Sequence, residues 1–553
     1  MSRPVAGVIN ETIVLTLPGS PKGAKENLET VLKLLPHACL QAAGADSREM
    51  HKHGVKKLES EAGISSETTV AVHKSHHHHS HGHSCGHSHG HHGGHAGPVR
   101  HTTDNPQSND PSAGPSRRHR SSPYPMLSVG DALAQIKEQT PLPTIIEVAV
   151  DTDLVGAVLA EDVTAYEAVP AFRASIVDGY AIIAPPDGSD TSGTFPVVSV
   201  SHAAPGETKV LEEAQIARIT TGAPLPEGAN SVVMVEDTTL IQSSEDGKEE
   251  LTVRINATDV KPGENIRQVG SDIEEGSVIL KKGDQISATG GELGLLVSVG
   301  TKRVKIYRRP VVGVLSTGDE IVPHDREEKL RLGEVRDCNR PTILAAIKGW
   351  GYEAVDLDIA SDTSGSLEET LRGALRKVDF IVTSGGVSMG ELDLLKPTME
   401  RQLGGTIHFG RVSMKPGKPT TFATVPVKDD SGERVSKAIF ALPGNPASAI
   451  VTLNLFVLAS LHQASGIEPA GLPKVKVSLA HDVLLDTQRN EYHRAVVGVG
   501  SDGLLWATST GKQRSSMVGS LKSANALLCL PTGPGDRLRK GERVDALLMG
   551  PLR

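Results

Sequence analysis

Between residues 309 and 466 short apolar runs alternate with stretches of helical spacing, and no other feature limits the fold of this chain so tightly. PVVGVLST, AVDLDIA, DFIVTS and AIFAL read as strands apolar enough to be buried on both faces. Helical patterns lie at 342–349, 367–376, 392–402 and 447–464. Strands of this kind joined by helices form a parallel sheet covered on both sides, a doubly wound α/β domain. Ligands of such sheets bind beyond the carboxyl ends of the strands, so the residues that follow each strand are the ones to read for chemistry. Four ends are loaded: Ser316-Thr317-Gly318-Asp319-Glu320, Thr383-Ser384-Gly385-Gly386-Val387-Ser388 with Asp393 beyond it, Met414-Lys415-Pro416-Gly417-Lys418-Pro419, and Leu442-Pro443-Gly444-Asn445-Pro446-Ala447-Ser448. They are expected to converge on one cleft.

Each end suits a different part of an anionic ligand. The glycines after Ser384 let backbone N–H groups approach a phosphate, with a helix starting near Glu391 adding its positive end. The same loop also reads as an ordinary tight turn. Asp319 and Asp393, at neighbouring strand ends, could hold Mg²⁺ against phosphate oxygens, although either alone reads equally as a cap or a solvated acid. Lys415 and Lys418 sit on a stretch stiffened by Pro416 and Pro419 with a turn at Gly417, and two fixed ammonium groups suit a compact dianion. Pro446 fits the first helical position, leaving the N–H groups of Ala447 and Ser448 free to face the cleft.

At 553 residues the chain exceeds a single core. Residues 123–308 contain a capped helix start, LSVGDALAQI, alternating strands over 145–161, and a β-rich insert at about 179–256. After residue 467 alternating runs such as KVKVSLA and VDALLM predict a small β-domain resembling a barrel. Residues 1–50 offer a turn and short strand over 6–17 and a helix over 26–35, too little to bury both faces of a strand. Residues 51–122 are a linker rich in Ser, Gly, Pro and His. Within it His76, His77, His78, His79, His81 and His83 would take up zinc, nickel or copper when offered it, whether the tract is a plain tether or a metal buffer.

A net charge of −9 gives no general attraction to nucleic acid or an anionic membrane, so an anionic substrate needs a local cation cluster. The four cysteines are dispersed, which excludes a disulfide framework and fits a reducing compartment. No secretory signal is legible and no apolar stretch is expected to reach the ~18 residues that span a bilayer, so the expected setting is cytoplasmic.

The segments SIVDGYA, TTGAPLPEGA, VVMVEDT, VGSDI, STGDE, RDCNR, TSGGVSMGELD, HFGRVSMKPGKPTTFA, ALPGNPASA, EYHR and SANALL stand here in the order and spacing of one family. From about residue 122 to the end, the chain resembles the MoeA family, the molybdopterin molybdenumtransferases, which includes the E domain of gephyrin. Ala171, Ala447 and Arg514 depart from its usual residues without removing a proposed ligand. The resemblance implies a homodimer whose site lies between the α/β domain of one subunit and the Asp178 region of the other. It implies Mg²⁺-dependent insertion of molybdate into adenylylated molybdopterin with release of AMP. Lys415, Lys418, Ser448, Arg494 and Ser520 become candidate molybdate ligands, Asp319 and Asp393 lie near metal and nucleotide, and Asp178 and Thr221 belong to the pterin side. RPVAGV, LPGSPKG and LPHA resemble the end of a G domain, the MogA-type adenylyltransferase, whose TGGTG loop is missing here. The expectation is therefore no adenylylation by these residues, with a separate MogA-type partner supplying the nucleotide. A non-catalytic gephyrin-like scaffold and a His-rich metal-binding protein are the alternatives.

Overall fold

The computed structural model describes residues 6–9, 12–15, 108, 122–361, 364–387, 394–429, 432–533 and 535–553. The chain forms two compact units, Met1–His95 and Ala96–Arg553. In the first, Ala6–Ile9 pairs antiparallel with Thr12–Leu15, so the stretch expected as a turn and one short strand holds two strands. The helix expected over 26–35 and the histidine tract lie outside the described residues.

In the second unit the α/β domain holds a six-stranded sheet in the order Ala354–Ala360, Val312–Thr317, Phe380–Ser384, Arg434–Leu442, Thr421–Lys428, Thr406–Phe409. The first four run parallel, as the alternating pattern predicts. The last two are antiparallel to their neighbours, which the pattern does not predict. The reason lies in the connection: residues 429–433 are too few for a crossover helix, so Thr421–Lys428 and Arg434–Leu442 must form a hairpin. One face buries Val312, Val314, Phe380, Val382 and Phe440 against Ile343, Ile347 and Phe456. The other buries Leu315, Ile381 and Ile439 against Leu367, Leu371 and Met399. Phe422 stacks on Phe440 with ring centroids 4.7 Å apart, joining the antiparallel edge to the parallel core.

Two helices complete that core. Val129–Gln139 starts where the side chain of Ser128 accepts from the Asp131 N–H, and its Ala132 and Ile136 are buried. Thr140 and Ser460 share a 2.6 Å hydroxyl bond and Gln463 Nε2 donates to Lys137 O at 2.7 Å, so this early helix is in space a part of the α/β domain. The helical run Pro446–Ala464, 19 residues long, reaches a mean hydropathy of 1.4 in its most apolar window and is long and apolar enough to cross a membrane, contrary to the expectation of no such stretch. Of its most apolar window 83% is buried within the protein, which accounts for the composition.

The insert is a six-stranded sheet in the order Thr238–Ser243, Glu250–Ile255, Gly193–Ser201, Ile216–Ile219, Gly179–Ile182, Ser231–Met234. The C-terminal domain is a closed barrel of Lys474–Leu479, Leu505–Ser509, Glu491–Val499, Ala526–Leu530 and Arg543–Leu548 around Val477, Ala495, Val497, Leu528 and Ala546. The fold class read from the sequence, α/β plus small β-rich domains and a C-terminal barrel, is the one observed.

Candidate functional site

Strand register places the loaded loops at one sheet edge. Ser316 pairs with Ser384, Ser384 with Leu442, and Ala441 with Thr421, so the loops after Thr317, Ser384 and Leu442 and the segment before Thr421 leave the sheet at one level. Gly385 and Gly386 have φ of +95° and +66°. A Cβ on Gly385 would lie 2.4 Å from Thr317 O, and one on Gly386 2.8 Å from Thr317 Oγ1, so glycine is required by space as well as by conformation. Gly385 N–H donates to Leu442 O at 3.1 Å, joining this loop to the Pro443-Gly444-Asn445 turn.

A residue that sequence reading did not single out holds the two loops together. Asn339, at the start of Asn339–Gly349 and buried, donates through Nδ2 to Ser384 Oγ at 2.6 Å and to Gly444 O at 2.8 Å. Its signal in the sequence was only the RDCNR motif. Asp319 is exposed just past the end of Val312–Thr317. Ser388, Asp393 and the helix start expected near Glu391 lie outside the described residues.

Lys418 is exposed, whereas Lys415 is already engaged. The Lys415 ammonium lies 2.9 Å from Glu491 Oε2 and 3.1 Å from Asp486 Oδ2, both contributed by the barrel domain. Burial pulls its pKa down, but the bonds to Glu491 and Asp486 outweigh that and hold it above the usual lysine value. The pair of ammonium groups expected here is thus one exposed cation and one cation compensated by two carboxylates.

Arg494 and Ser520, which only the family resemblance had connected, are in contact. Arg494 Nε and Nη2 donate to Ser520 Oγ at 3.2 and 3.0 Å, and Nη2 also donates to Arg514 O at 3.2 Å. The side chain is fully buried, and its Nη1 has no hydrogen-bond partner among the described residues. Burial pushes its pKa down to about 10. Pro446 begins its helix as expected, with Asn445 at the cap position and Ser448 buried. The Ala447 N–H is not free, however: it donates to Ser515 O at 3.0 Å, because the barrel segment that precedes Val518–Leu521 lies over the helix start.

Asp178 and Thr221 are brought together in the insert, where Gly179 pairs with Ile219 and Asp178 Oδ1 accepts from the Thr221 N–H at 2.8 Å. Neither is hydrogen-bonded to the α/β rim among the described residues. Phe172 and Ile176, close to Asp178 in sequence, are 48% and 53% exposed. No group of three or more potential metal ligands occurs among the described residues. An exposed carboxylate at a strand end still suits Mg²⁺, which is commonly bound by one or two carboxylates together with substrate phosphates.

Comparison with known proteins follows the same division of the chain. Residues 127–300 match the MoeA N-terminal region (domain I and II), 313–463 a probable molybdopterin binding domain, and 476–549 the MoeA C-terminal region (domain IV). Gephyrin of Dictyostelium discoideum is 37% identical over 593 residues, covering 100% of this chain and 79% of its own length. The molybdenum cofactor synthesis protein cinnamon of Drosophila melanogaster is 33% identical, covering 97% and 77%. The molybdopterin molybdenumtransferase of Haemophilus influenzae is 32% identical, covering 76% and 98%. Among solved structures, a molybdopterin biosynthesis MoeA protein of Pyrococcus superposes with a TM-score of 0.62 at 28% identity, covering 77% of this chain and 100% of that one.

Proposed function

Because the chain belongs to the MoeA family of molybdopterin molybdenumtransferases, we propose that it inserts molybdate into adenylylated molybdopterin and releases AMP. The observation that carries this reading is Arg494: a fully buried guanidinium, held by Ser520, with one nitrogen left without a partner among the described residues. A buried cationic donor with spare capacity is costly unless an anion completes it.

Molybdate is a tetrahedral dianion that loses oxide as the dithiolene sulfurs bind, so the protein's task is to orient and neutralise. Arg494, oriented by Ser520, supplies the spare N–H, Ser448 supplies a hydroxyl, and Lys418 and Lys415 supply ammonium donors. The loop of Ser384, Gly385 and Gly386 and the turn of Pro443, Gly444 and Asn445 form a cradle for the phosphates, tied by Asn339, and Ser388 is assigned to the same ligand. Mg²⁺ bound by Asp319 and Asp393 would neutralise the phosphate oxygens of the departing AMP. Asp178 and Thr221 belong to the pterin side of the cleft, contributed by the second copy of a cytoplasmic homodimer. The exposed Phe172 and Ile176 on the Asp178 segment support such a pairing. A MogA-type adenylyltransferase supplies the nucleotide substrate.

The test is incubation of the purified chain with adenylylated molybdopterin, Mg²⁺ and molybdate, following AMP release and reconstitution of a cofactor-free molybdenum enzyme. Both are expected, and both are expected to fail in Lys415→Ala and Lys418→Ala. A folded wild-type dimer without activity would refute the reading and favour a scaffold.

A further inference from the structure

Lys415 enters the cleft already held by a chain of side chains from the barrel domain. Glu491 Oε2 accepts from its ammonium at 2.9 Å. The other oxygen of Glu491 lies 3.0 Å from His493 Nδ1, and His493 Nε2 lies 2.6 Å from Ser509 Oγ. Glu491 and His493 are almost entirely buried, with side chains 4% and 8% exposed. On the other side of the ammonium, Asp486 is held by the N–H groups of Gln488 and Arg489 at 3.0 and 2.9 Å. The main chain is indexed on the same strand: Lys415 N–H donates to Asn490 O at 3.0 Å, and Tyr492 N–H donates to Lys415 O at 2.8 Å.

Two consequences follow from elementary geometry and charge. An ammonium has three N–H bonds in tetrahedral array, so engaging two of them fixes the direction of the third. Two carboxylates around one ammonium also leave the cluster with a net negative charge. Lys415 therefore offers a directed donor with little positive field, unlike the exposed Lys418. We propose that Glu491 and His493, together with Asp486, are positioning residues for molybdate insertion: they aim the third N–H of Lys415 and temper its charge, so that the oxoanion is oriented without being held tightly. The proposal rests on the reading that Lys415 faces molybdate.

Glu491→Gln tests it with little change of shape, because an amide can still accept from Lys415 while the imidazole adopts its other tautomer. Removing a negative charge beside the ammonium should lower the KM for molybdate by about threefold or more. Looser aim should lower kcat by about tenfold. A merely structural role would reduce the active fraction and leave KM where it was. His493→Ala should lower kcat with KM unchanged, and His493→Gln, which can still donate to Glu491, should recover part of the loss. An unchanged or raised molybdate KM in Glu491→Gln overturns the proposal. Lys415→Ala, run alongside, separates the two failures. If it keeps wild-type kinetics, both the Lys415 reading and the proposal fall; if it is inactive while Glu491→Gln behaves as wild type, only the proposal falls. Should Glu491→Gln not fold by thermal melting, Asp486→Asn, on the turn and 17% exposed, is held to the same KM criterion.

Discussion

Replacing Arg494 by Met should leave the fold intact and abolish the chemistry. Burial depresses the guanidinium well below its ordinary value, to about 10, a difference worth about 3 kcal/mol against the charged form. The sign is that of a buried cation: the cost is fully present below about pH 10 and is relieved only as pH rises further, so at neutral pH all of it is borne. The substitution removes that cost. It also removes the bonds to Ser520 Oγ and Arg514 O, and because that carbonyl still accepts from the Met517 N–H at 3.2 Å, losing this donor costs about 1 kcal/mol. Ser520 keeps its own bond to Met517 O at 2.6 Å. The balance is a protein about as stable as the wild type or more stable by about 2 kcal/mol, as for other buried charges replaced by apolar residues of similar volume. Thermal unfolding should show a midpoint that does not fall by more than about 2 °C. AMP release coupled to molybdate insertion should drop by about a hundredfold or more. A loss of more than about 3 kcal/mol of stability would make Arg494 a structural strut, and retained activity would refute its place in the anion site.

Two further outcomes follow from the rim and the barrel. Asn339→Asp keeps the size of the side chain but sets a carboxylate oxygen against Gly444 O in place of a 2.8 Å bond. It should raise the KM for the nucleotide substrate by about tenfold while leaving thermal unfolding of the barrel unchanged, and an unaltered KM would remove Asn339 from the cradle. The Lys415 cluster predicts a pH window. Burial raises the Glu491 carboxyl, but His493 and Lys415 outweigh it and hold it below the usual glutamate value. Burial likewise raises Asp486, and the Gln488 N–H and Lys415 outweigh it. Carboxylates depressed in this way stabilise the fold above their unfolded values, and that stability is lost as pH falls through the folded ones. Lys415, raised, stabilises below its unfolded value and loses the contribution as pH rises through the folded one. The cluster is therefore fully stabilising at neutral pH and fades below about pH 4 and above about pH 10.5. In acid titrations followed by barrel tryptophan fluorescence, Glu491→Gln should lose stability less steeply than the wild type, by about one proton. Identical slopes would contradict the assignment.

What the sequence made legible is local. PVVGVLST, AVDLDIA and DFIVTS form the parallel strands because burial on both faces leaves a mark within a single run of residues. Pro446 at a helix start and the glycines after Ser384 are likewise local requirements. The hairpin Thr421–Lys428 with Arg434–Leu442 was half missed, since TTFATVPV carries no helix signal to separate it and its antiparallel direction is set by the short connection. The partners of Lys415 could not be read: Glu491 is 76 residues away on another domain, and nothing near either residue records the pairing. Arg494 and Ser520 were legible only through the resemblance, because a buried arginine on a barrel strand looks, within its own segment, like any exposed one. Asn339 was hidden for the same reason, its two acceptors lying 45 and 105 residues further on.

The hydrogen bonds that the Lys415 backbone gives to Asn490 and takes from Tyr492 bear on how such a protein can be recombined. The matched segments 313–463 and 476–549 invite cutting between them. A graft made there would carry Lys415 away from the strand that seats it and leave Glu491 and Asp486 facing a stranger's loop. Chimeras with relatives should therefore tolerate exchange of the insert, whose sheet shares no strand with the α/β domain or the barrel, and should accept a new barrel only when the segment 410–420 travels with it.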